Sequence, residues 1–502
     1  MVCRKIFPEA QGVAGAVPFP APVRGLNTRE SFAALQPDEA YELVNILPQS
    51  GGCTIRPGYS TYGTISGNKP VKTLAVCPVG GSVSLLAATN GGLYNIISGT
   101  PSTLATGYAN DYWHTSFMGG YLFGVNGQDT PWRYDGSSIS ATGLSGPTLT
   151  SMNTMNNVMF RLWATVNNSG DVWYGPLEGV TGPLTKFAVS QIANGGYCMG
   201  VFEWPAQNAT VMCFSTGQVL VYQGDPSTNM TLTSSTKYYA PPLIEPGAAV
   251  QMGGELVLIT VSGPITMDLV AAGLGFELDA LQVWGKIWPA WQADYAQYGA
   301  NAGWFGKFIA GNVYFNVPTG GGVSKQYVFT TRNQAWTNYA KLPLQTLEGV
   351  NLNGVQSIYF GSANNDGNVY LHAGGQDNGN QIVSLSRSAF TYGGTPGKKK
   401  RYTQIKPNIF TTGGLSVQAQ IDTDFNRQPV TAAITPMSAA GSSTPWGSSW
   451  GAPWATVTQN RPGWIGAAAR GHSASAVVQI YSTGTDVKWQ SSDVMATGGG
   501  SL

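Results

Sequence analysis

Short apolar segments separated by turn-forming residues dominate this chain. Gly contributes 66 and Pro 30 of the 502 residues, and β-branched and aromatic runs of strand length lie between them. Runs of this length and composition, bounded by Gly, Pro, Asn and Asp, are typical of β-strands joined by tight turns. The pattern therefore predicts a mainly β protein.

One pattern recurs: an apolar strand, a turn of Gly, Asn or Asp, and a second strand rich in aromatic residues, as hairpins require. The repeats start at Leu85, Tyr121, Val158, Val211, Leu256, Val313 and Ile358. Successive starts lie about 36 to 57 residues apart, close to the period of a four-stranded propeller blade. We predict a β-propeller of six to eight blades over residues 40–385, with an open sandwich of coincidental spacing as the alternative.

A segment over residues 276–299 departs from the β pattern, because its apolar residues recur at steps of three and four. These positions are Leu281, Trp284, Trp288, Trp291 and Tyr295. Such spacing predicts an amphipathic helix, and Pro289 divides it into two short helices. Trp284, Trp288 and Trp291 are expected to pack on the propeller or on a partner chain.

Both ends of the chain differ from this repeat. Residues 386–502 contain alternating strands that predict a C-terminal β-sandwich domain, and residues 1–39 predict an extended N-terminal arm. Within the C-terminal region, four indoles stand among turn-forming residues, in a loop expected to bury them against a neighbour. They are Trp446, Trp450, Trp454 and Trp464.

The charged fraction is only 10%, and the formal net charge is +1. Bulk charge therefore favours neither a nucleic-acid-binding protein nor an enzyme for acidic substrates. An uncharged polar surface suits a protein buried in an assembly, although a monomer with such a surface is the alternative. The five cysteines show no CxxC spacing, which predicts buried thiols in a reducing compartment. The N-terminus has no signal-peptide pattern, and no apolar run reaches membrane-spanning length, so we expect a soluble protein made in a cytoplasm.

No catalytic, metal or cofactor motif is recognisable. His114, His372 and His472 lie outside such motifs. Carboxylate pairs are the acid and base of glycosidases, but Asp129 and Asp135 stand in turns and are expected to accept backbone hydrogen bonds. The stretches around Asp366 and Asp377 resemble calcium loops only faintly, because the ligand spacing is missing. We predict no catalytic residue, no metal and no cofactor.

A cluster of cations stands out in this charge-poor chain: Lys398, Lys399, Lys400 and Arg401, followed by Lys406. The cluster follows the turn GGTPG and precedes an alternating segment, so it is expected to begin the first strand of the C-terminal domain. Successive side chains of a strand alternate in direction, so the four cannot all face one partner. Two interpretations remain: a solvated strand start or inter-subunit salt bridges on the one hand, and a contact of part of the run with DNA or a partner protein on the other.

The chain resembles a family of phage proteins in the order of its motifs. The motifs are GLNTRE, LQPDEAYELVNILP and IRPGYSTYG within residues 23–63, then TNGGLYNI, FGVNGQDTPWRYDG, STGQVLVYQGDP, FELDALQVWGKIWPAW and YGGTPGKKKRYTQIKP. This order is similar to that of the tail nozzle, or tail tubular B-type, proteins of short-tailed bacteriophages.

The resemblance implies a structural, non-enzymatic virion protein made in the host bacterial cytoplasm. It implies a hexameric ring, a tail hub bound to the adaptor (head-to-tail connector) protein and to tail fibres or a needle or tip protein. Double-stranded DNA would pass along the six-fold axis without sequence specificity, and the ring would retain packaged DNA and conduct it at ejection. The cluster Lys398–Arg401 with Lys406 would then contact the channel or the adaptor. A glycan-binding receptor component is the alternative, and a polysaccharide-degrading enzyme is a third.

Overall fold

The computed structural model describes residues 15–233, 238–277, 281, 283–352, 354–394, 396–411, 415–437, 463–484 and 486–498. These residues form two compact units. The terminal unit comprises the described residues of Met1–Ser60, Phe329–Ala340 and Gly374–Leu502, and the central unit those of Thr61–Val328 and Lys341–Ala373. Strands predominate in both units, as the turn-rich sequence predicts.

The first strands of the chain are short. They are β1 (Gly15–Pro20), β2 (Ala40–Val44), β3 (Ile46–Gln49), β4 (Gly52–Ile55) and β5 (Ser60–Thr64). The first four belong to the terminal unit, and β5 leads into the central unit.

Seven antiparallel groups of strands follow one another in the described part of the central unit, and we call them blades 1 to 7. Six are separate sheets, and blade 6 is formed by the first three strands of a nine-stranded sheet. Blade 1 contains β6 (Thr73–Val79), β7 (Ser82–Thr89), β8 (Gly92–Asn95) and β9 (Ser102–Thr106). Blade 2 contains β10 (His114–Met118), β11 (Tyr121–Val125), β12 (Trp132–Tyr134) and β13 (Ile139–Ala141). The short strand β14 (Leu144–Ser145) then leads to blade 3.

Blades 3 to 5 continue the series. Blade 3 contains β15 (Met152–Val158), β16 (Arg161–Val166), β17 (Val172–Tyr174) and β19 (Thr185–Phe187). The short strand β18 (Gly182–Pro183) lies between β17 and β19 in the chain and pairs with β14. Blade 4 contains β20 (Cys198–Trp204), β21 (Ala209–Phe214), β22 (Gln218–Gln223), β23 (Thr231–Leu232) and β24 (Tyr238–Tyr239). Blade 5 contains β25 (Ala249–Met252), β26 (Glu255–Thr260) and β27 (Gly263–Thr266).

Blades 6 and 7 complete the ring. Blade 6 contains β28 (Phe305–Ile309), β29 (Asn312–Gly320) and β30 (Val323–Thr330), after which the chain forms β31 (Ala335–Leu342). Blade 7 contains β32 (Leu344–Leu352), β33 (Val355–Ser362), β34 (Asn368–Leu371) and the early strand β5, which pairs with β34. The outer strand of the last blade therefore comes from the beginning of the unit, which joins the two ends of the ring.

Apolar contacts between neighbouring blades hold the ring together. Between blades 1 and 2, for example, Leu86 and Leu93 pack with Trp113, Leu122 and Trp132. Equivalent clusters lie between blades 2 and 3, between blades 3 and 4, and between blades 7 and 1. Each blade buries apolar area on both faces, which is the main favourable contribution to its stability. The central unit is thus a seven-bladed β-propeller, within the predicted range of six to eight.

The helical segment follows blade 5. It contains α1 (Met267–Ala271), a 3-10 helix (Trp284–Ile287) and α2 (Trp288–Tyr298), and Pro289 lies in the first turn of α2. A proline in the first turn loses no intrahelical hydrogen bond, so it is tolerated where α2 begins. The chain changes from the 3-10 helix to α2 just before it. The prediction of two short helices is confirmed, and both contact β27 of blade 5.

The terminal unit is a β-sandwich. Its C-terminal strands are β35 (Ile382–Ser388), β36 (Lys400–Thr411), β37 (Leu415–Thr423), β38 (Thr435–Met437), β39 (Ile465–Gly471), β40 (Ala474–Ser482) and β41 (Val487–Gly498). One sheet has the order β3-β4-β41-β36-β39, with β1 also paired to β41; the other contains β31-β2-β35-β40-β37-β38. Alternate residues of β36 and β37 are buried, as expected for two sheets packed face to face.

The compact units and the domain limits inferred from the sequence have different extents. The sequence places limits at residues 39/40 and 385/386. In the structure β2 pairs with β35 and β4 pairs with β41. Because of these pairings, residues 40–60 lie in the same unit as the C-terminal strands, and the segment expected to be an extended arm contributes β1 to a sheet.

Candidate functional site

Lys400 and Arg401 begin β36, as the sequence predicts, whereas Lys398 and Lys399 precede the strand. The members of the basic cluster also have different environments. Lys400 is buried: its Nζ donates to the carbonyl of Tyr392 at 2.7 Å and to those of Lys398 and His472 at 3.4 Å. Burial lowers the pKa of Lys400. Lys398, Lys399 and Arg401 are exposed. Lys400 thus stabilises the strand start, whereas the other three are accessible to a partner.

A fourth cation lies beside this exposed group. Arg401 of β36 is directly opposite Arg470 of β39 in the antiparallel register, and both are exposed. Like charges directly opposite one another destabilise a sheet. We call Lys398, Lys399, Arg401 and Arg470 the basic patch. Lys406, further along β36, is half-buried and opposite Asp493 of β41.

The three described indoles of the helical segment are buried within the central unit. Trp288 Nε1 donates to the carbonyl of Pro264 at 3.1 Å, and Trp291 Nε1 donates to that of Thr260 at 3.0 Å. Trp284 is also buried. These contacts fit the prediction that the stripe packs on the propeller. Trp446, Trp450 and Trp454, predicted to contact a neighbour, lie outside the described residues.

The carboxylates weighed as catalytic or calcium-binding groups have structural partners. Asp135 accepts hydrogen bonds from the backbone of Ser137 and Ser138 at 2.8 and 2.7 Å, which lowers its pKa to about 2. Asp129 accepts from the backbone of Ala109 and Asn110. The prediction of backbone hydrogen bonding is confirmed for both.

The two aspartates of the calcium-like stretches are also engaged. Asp377 binds Arg56 through both oxygens, at 2.8 and 2.7 Å. Asp366 accepts hydrogen bonds from the Asn368 backbone and the Tyr370 hydroxyl. Among the described residues, no group of His, Cys, Asp or Glu side chains is arranged to hold a metal ion, and no helix is long and apolar enough to cross a membrane.

The described cysteines behave as structural residues. Cys53, Cys77, Cys198 and Cys213 are buried and form no disulfide. Burial raises the pKa of Cys77 to about 11 and that of Cys198 to about 12. Thiols with such pKa values are poor nucleophiles at neutral pH. The prediction of buried free thiols is confirmed for these four.

A cavity of about 660 Å³ lies on the axis of the propeller. All seven innermost strands contribute to its wall: β6, β10, β15, β20, β25, β28 and β32. In a propeller these strands surround the axis, and their side chains either fill it or leave a cavity. Here the side chains leave a cavity, and Gly247 and Gly306 are part of its lining.

Five residues at one end of the cavity form a connected group, which we call the axial cluster. It consists of Lys72, Tyr112, Glu245, Gly303 and Gln345. Glu245 Oε1 accepts a hydrogen bond from the Gly303 backbone at 3.0 Å. Gln345 Nε2 lies beside Gly303 and donates to the Tyr112 hydroxyl at 3.2 Å. Lys72 Nζ is 4.9 Å from the centroid of the Tyr112 ring, a cation–π distance.

Burial in the cavity wall changes the acidity of several groups. It raises the pKa of Glu245 to about 7, although backbone hydrogen bonds from Gly303 and Trp304 act in the opposite direction. Burial and the nearby Glu245 raise the pKa of Tyr112. Burial and the charge of Lys307 lower the pKa of His114 to about 4. His114 is therefore neutral at pH 7, and its Nδ1 accepts a hydrogen bond from the Met155 backbone at 3.3 Å.

The opposite end of the cavity carries an ion pair and further polar groups. Lys307 pairs with Glu348. Glu203 accepts a hydrogen bond from the Met159 backbone at 3.4 Å, and the side chain of Gln251 donates to the Glu203 carbonyl at 3.2 Å. Charged and polar side chains therefore occur at both ends of the cavity.

No family model and no curated protein matches the sequence. Among solved structures, the WD40 repeats of RRP9 match with 9% identity and a TM-score of 0.41, covering 63% of this chain and 98% of theirs. The WD40 domain of Neurospora crassa Pan2 matches with 8% identity and a TM-score of 0.40, over 65% and 97%. The WD40 β-propeller domain of Doa1 gives 10% and 0.36, over 62% and 97%. Similarity at these scores carries no functional argument, and the propeller assignment rests on the seven blades and their apolar contacts.

Sequence reasoning did not find the axial cluster. Its members are dispersed over more than half of the chain and come from the beginnings of the innermost strands or from the segments just before them. The hairpin repeat marks the middle strands of each blade, so these segments fall between repeats. Arg470 was missed for a similar reason, since only the pairing of β36 with β39 brings it to Arg401.

Proposed function

We propose that this chain is a structural protein of a short bacteriophage tail. Copies would form a hexameric nozzle ring that binds the adaptor, retains packaged double-stranded DNA and conducts it during ejection. The order of motifs shared with tail nozzle proteins supports this proposal. The single observation that supports the proposal independently of the resemblance is the basic patch. The patch forms where the stretch YGGTPGKKKRYTQIKP, one of the motifs similar to the family, leads into β36.

An acidic partner would stabilise the patch. Arg401 and Arg470 repel one another across the sheet, and a phosphate or carboxylate between them would relieve that repulsion. In a hexamer the patch would occur six times, giving a basic ring on a chain whose net charge is only +1. A phosphate backbone or an acidic adaptor surface provides the complementary charge.

The DNA path would lie between copies of the chain. The axial cavity of about 660 Å³ is far too narrow for a duplex, whose major groove alone is about 12 Å wide. A near-neutral chain also suits a conduit, because each neutralised phosphate adds salt-dependent affinity that would slow ejection. The role is non-enzymatic, and its site of action is the virion tail after synthesis in the host bacterial cytoplasm. Tail fibres or a needle or tip protein would bind elsewhere on the ring.

The basic patch gives a direct test. Replacing Lys398, Lys399, Arg401 and Arg470 together by Gln removes its charge and leaves the buried Lys400 in place. We expect virions carrying this variant to lose packaged DNA or to bind the adaptor at least about tenfold more weakly, since each charge-assisted contact contributes about 1.5–3 kcal/mol. DNA retention is measured by nuclease sensitivity, and adaptor binding by sedimentation of purified proteins.

The matched control removes four exposed cations elsewhere: Lys69, Arg332, Lys341 and Lys488 are replaced by Gln. This variant changes net charge equally and should assemble and retain DNA as the wild type does. Equal behaviour of the two variants would contradict a specific role for the patch. Failure of the wild-type protein to form rings with purified adaptor would overturn the nozzle proposal itself.

A further inference from the structure

The axial cavity of the propeller has a function separate from ring assembly: we propose that it binds a neutral saccharide through the axial cluster. The cavity volume lies within the range of about 300–1,000 Å³ found for small-molecule sites. The cluster combines side chains from several blades at one end of the cavity. This inference does not depend on the proposed role in a phage tail.

The hydrogen-bonding capacity of the cluster indicates the ligand class. Glu245 Oε1 is held by the backbone of Gly303 and Trp304, whereas its Oε2 has no hydrogen bond to a described residue and can accept one. The Tyr112 oxygen accepts a bond from Gln345, so its hydroxyl hydrogen can be donated to a ligand. Lys72 adds a second donor beside the same ring. A ligand must therefore both donate and accept hydrogen bonds within a small volume.

Hydroxyl groups meet this requirement, because each is one donor and two acceptors. The cluster places a carboxyl group, Glu245, and an ammonium group, Lys72, at the same end of the cavity. Neither an anion nor a cation therefore meets a site of uniformly opposite charge. A saccharide carries several hydroxyls and no net charge, so it suits the cluster best.

Apolar side chains in the cavity wall complete the site. Phe202, Phe305 and Trp304 line the cavity together with amides such as Asn156 and Gln251. Small-molecule sites combine an apolar wall with a few fixed polar groups in this manner. The C–H faces of a sugar ring would contact the aromatic groups, while its hydroxyls bond to the axial cluster.

Calorimetric titration of the full-length chain with neutral trisaccharides tests the inference. Maltotriose and triacetylchitotriose are the probes, with inorganic phosphate and putrescine as ionic comparators. We expect at least one trisaccharide to bind with a dissociation constant below about 1 mM and each comparator to bind at least about tenfold more weakly. Absence of trisaccharide binding, or tighter binding of a comparator, would overturn the proposal.

Two variants locate the binding. Tyr112→Phe removes one hydroxyl and should weaken trisaccharide binding about tenfold. Tyr174→Phe is the matched control, because that hydroxyl donates to the Pro226 carbonyl away from the cavity. Gly303→Ala provides a second change, since a Cβ there would lie 2.5 Å from Gln345 Nε2 at a φ of +113°. Equal affinity in Tyr112→Phe, Gly303→Ala and the control would place the ligand outside the cavity and contradict the proposal.

Discussion

At the scale of single residues, burial decides what a charged side chain does in this protein. Glu245 lies in the wall of the axial cavity, and burial raises its pKa to about 7. Lys400 belongs to a run of four cations, yet its ammonium group faces backbone carbonyls inside the terminal unit. The sequence identifies both residue types, but their environments arise from segments that are distant along the chain.

Glu245→Gln should stabilise the protein increasingly as the pH rises above about 4.5. The folded state holds the Glu245 proton up to about pH 7, whereas an unfolded glutamate loses it near pH 4.5. Stability therefore falls as the pH rises between these values, and a neutral amide avoids the loss. We expect the free energy of unfolding of the variant to exceed that of the wild type by about 3 kcal/mol at pH 8 and to equal it near pH 4.

Urea unfolding at the two pH values measures this difference. Glu255→Gln is the comparison. Glu255 lies outside the cavity, and burial raises the pKa of its carboxyl group to about 7 as well. A Glu245→Gln variant that gains equally at both pH values would contradict the ionisation argument.

At the scale of elements, the hairpin is the unit that the sequence repeats. Between β7 and β8, Asn90 and Gly91 have φ values of 52° and 69°, as the preferred two-residue hairpin turn requires. Between β15 and β16 the same turn is formed by Met159 and Phe160, with φ values of 50° and 59°. Phe160 is 69% exposed, so no packing of its own ring offsets the strained backbone.

Phe160→Gly should therefore stabilise blade 3. A left-handed conformation costs a non-glycine residue about 1–2 kcal/mol, and the greater freedom of glycine in the unfolded chain offsets part of the gain. We expect a net increase of about 1 kcal/mol in the free energy of unfolding, measured with urea. Phe160→Ala keeps the strain and should leave stability nearly unchanged; equal effects of the two substitutions would contradict the explanation.

At the scale of the whole molecule, the propeller of the central unit is closed by β5, a strand that precedes blade 1 in the chain. Strand β5 completes blade 7, and the backbone of Ile65 donates to the Gly367 carbonyl at 2.8 Å. Ile65 also packs in the apolar cluster between blades 7 and 1. A ring leaves no open end, so the contacts at this seam support every other blade.

Ile65→Ala should lower the free energy of unfolding of the central unit by about 3 kcal/mol, as large-to-small changes in cores do. Tryptophan fluorescence during urea unfolding reports the change. Val355→Ala in blade 7, at a side chain 65% exposed, is the control and should change stability by less than about 0.5 kcal/mol. A similar small effect of Ile65→Ala would show that the seam does not support the ring.

The sequence by itself determined the local structure of this protein. Hairpins, the two short helices at Pro289 and the β-sandwich strands follow from turn chemistry and hydrophobic period, which depend on residues close together in the chain. The seven repeats that start at residues 85–358 correspond to the seven blades.

The tertiary structure decided which distant residues meet. It joined β5 to blade 7, added β1–β4 to the sandwich, placed Arg470 opposite Arg401 and assembled the axial cluster. None of these pairings leaves a local signal, because strand partners are selected by burial of complementary faces rather than by spacing in the sequence. Elements were therefore predictable from the chain, whereas the candidate sites depend on how the sheets close and pair.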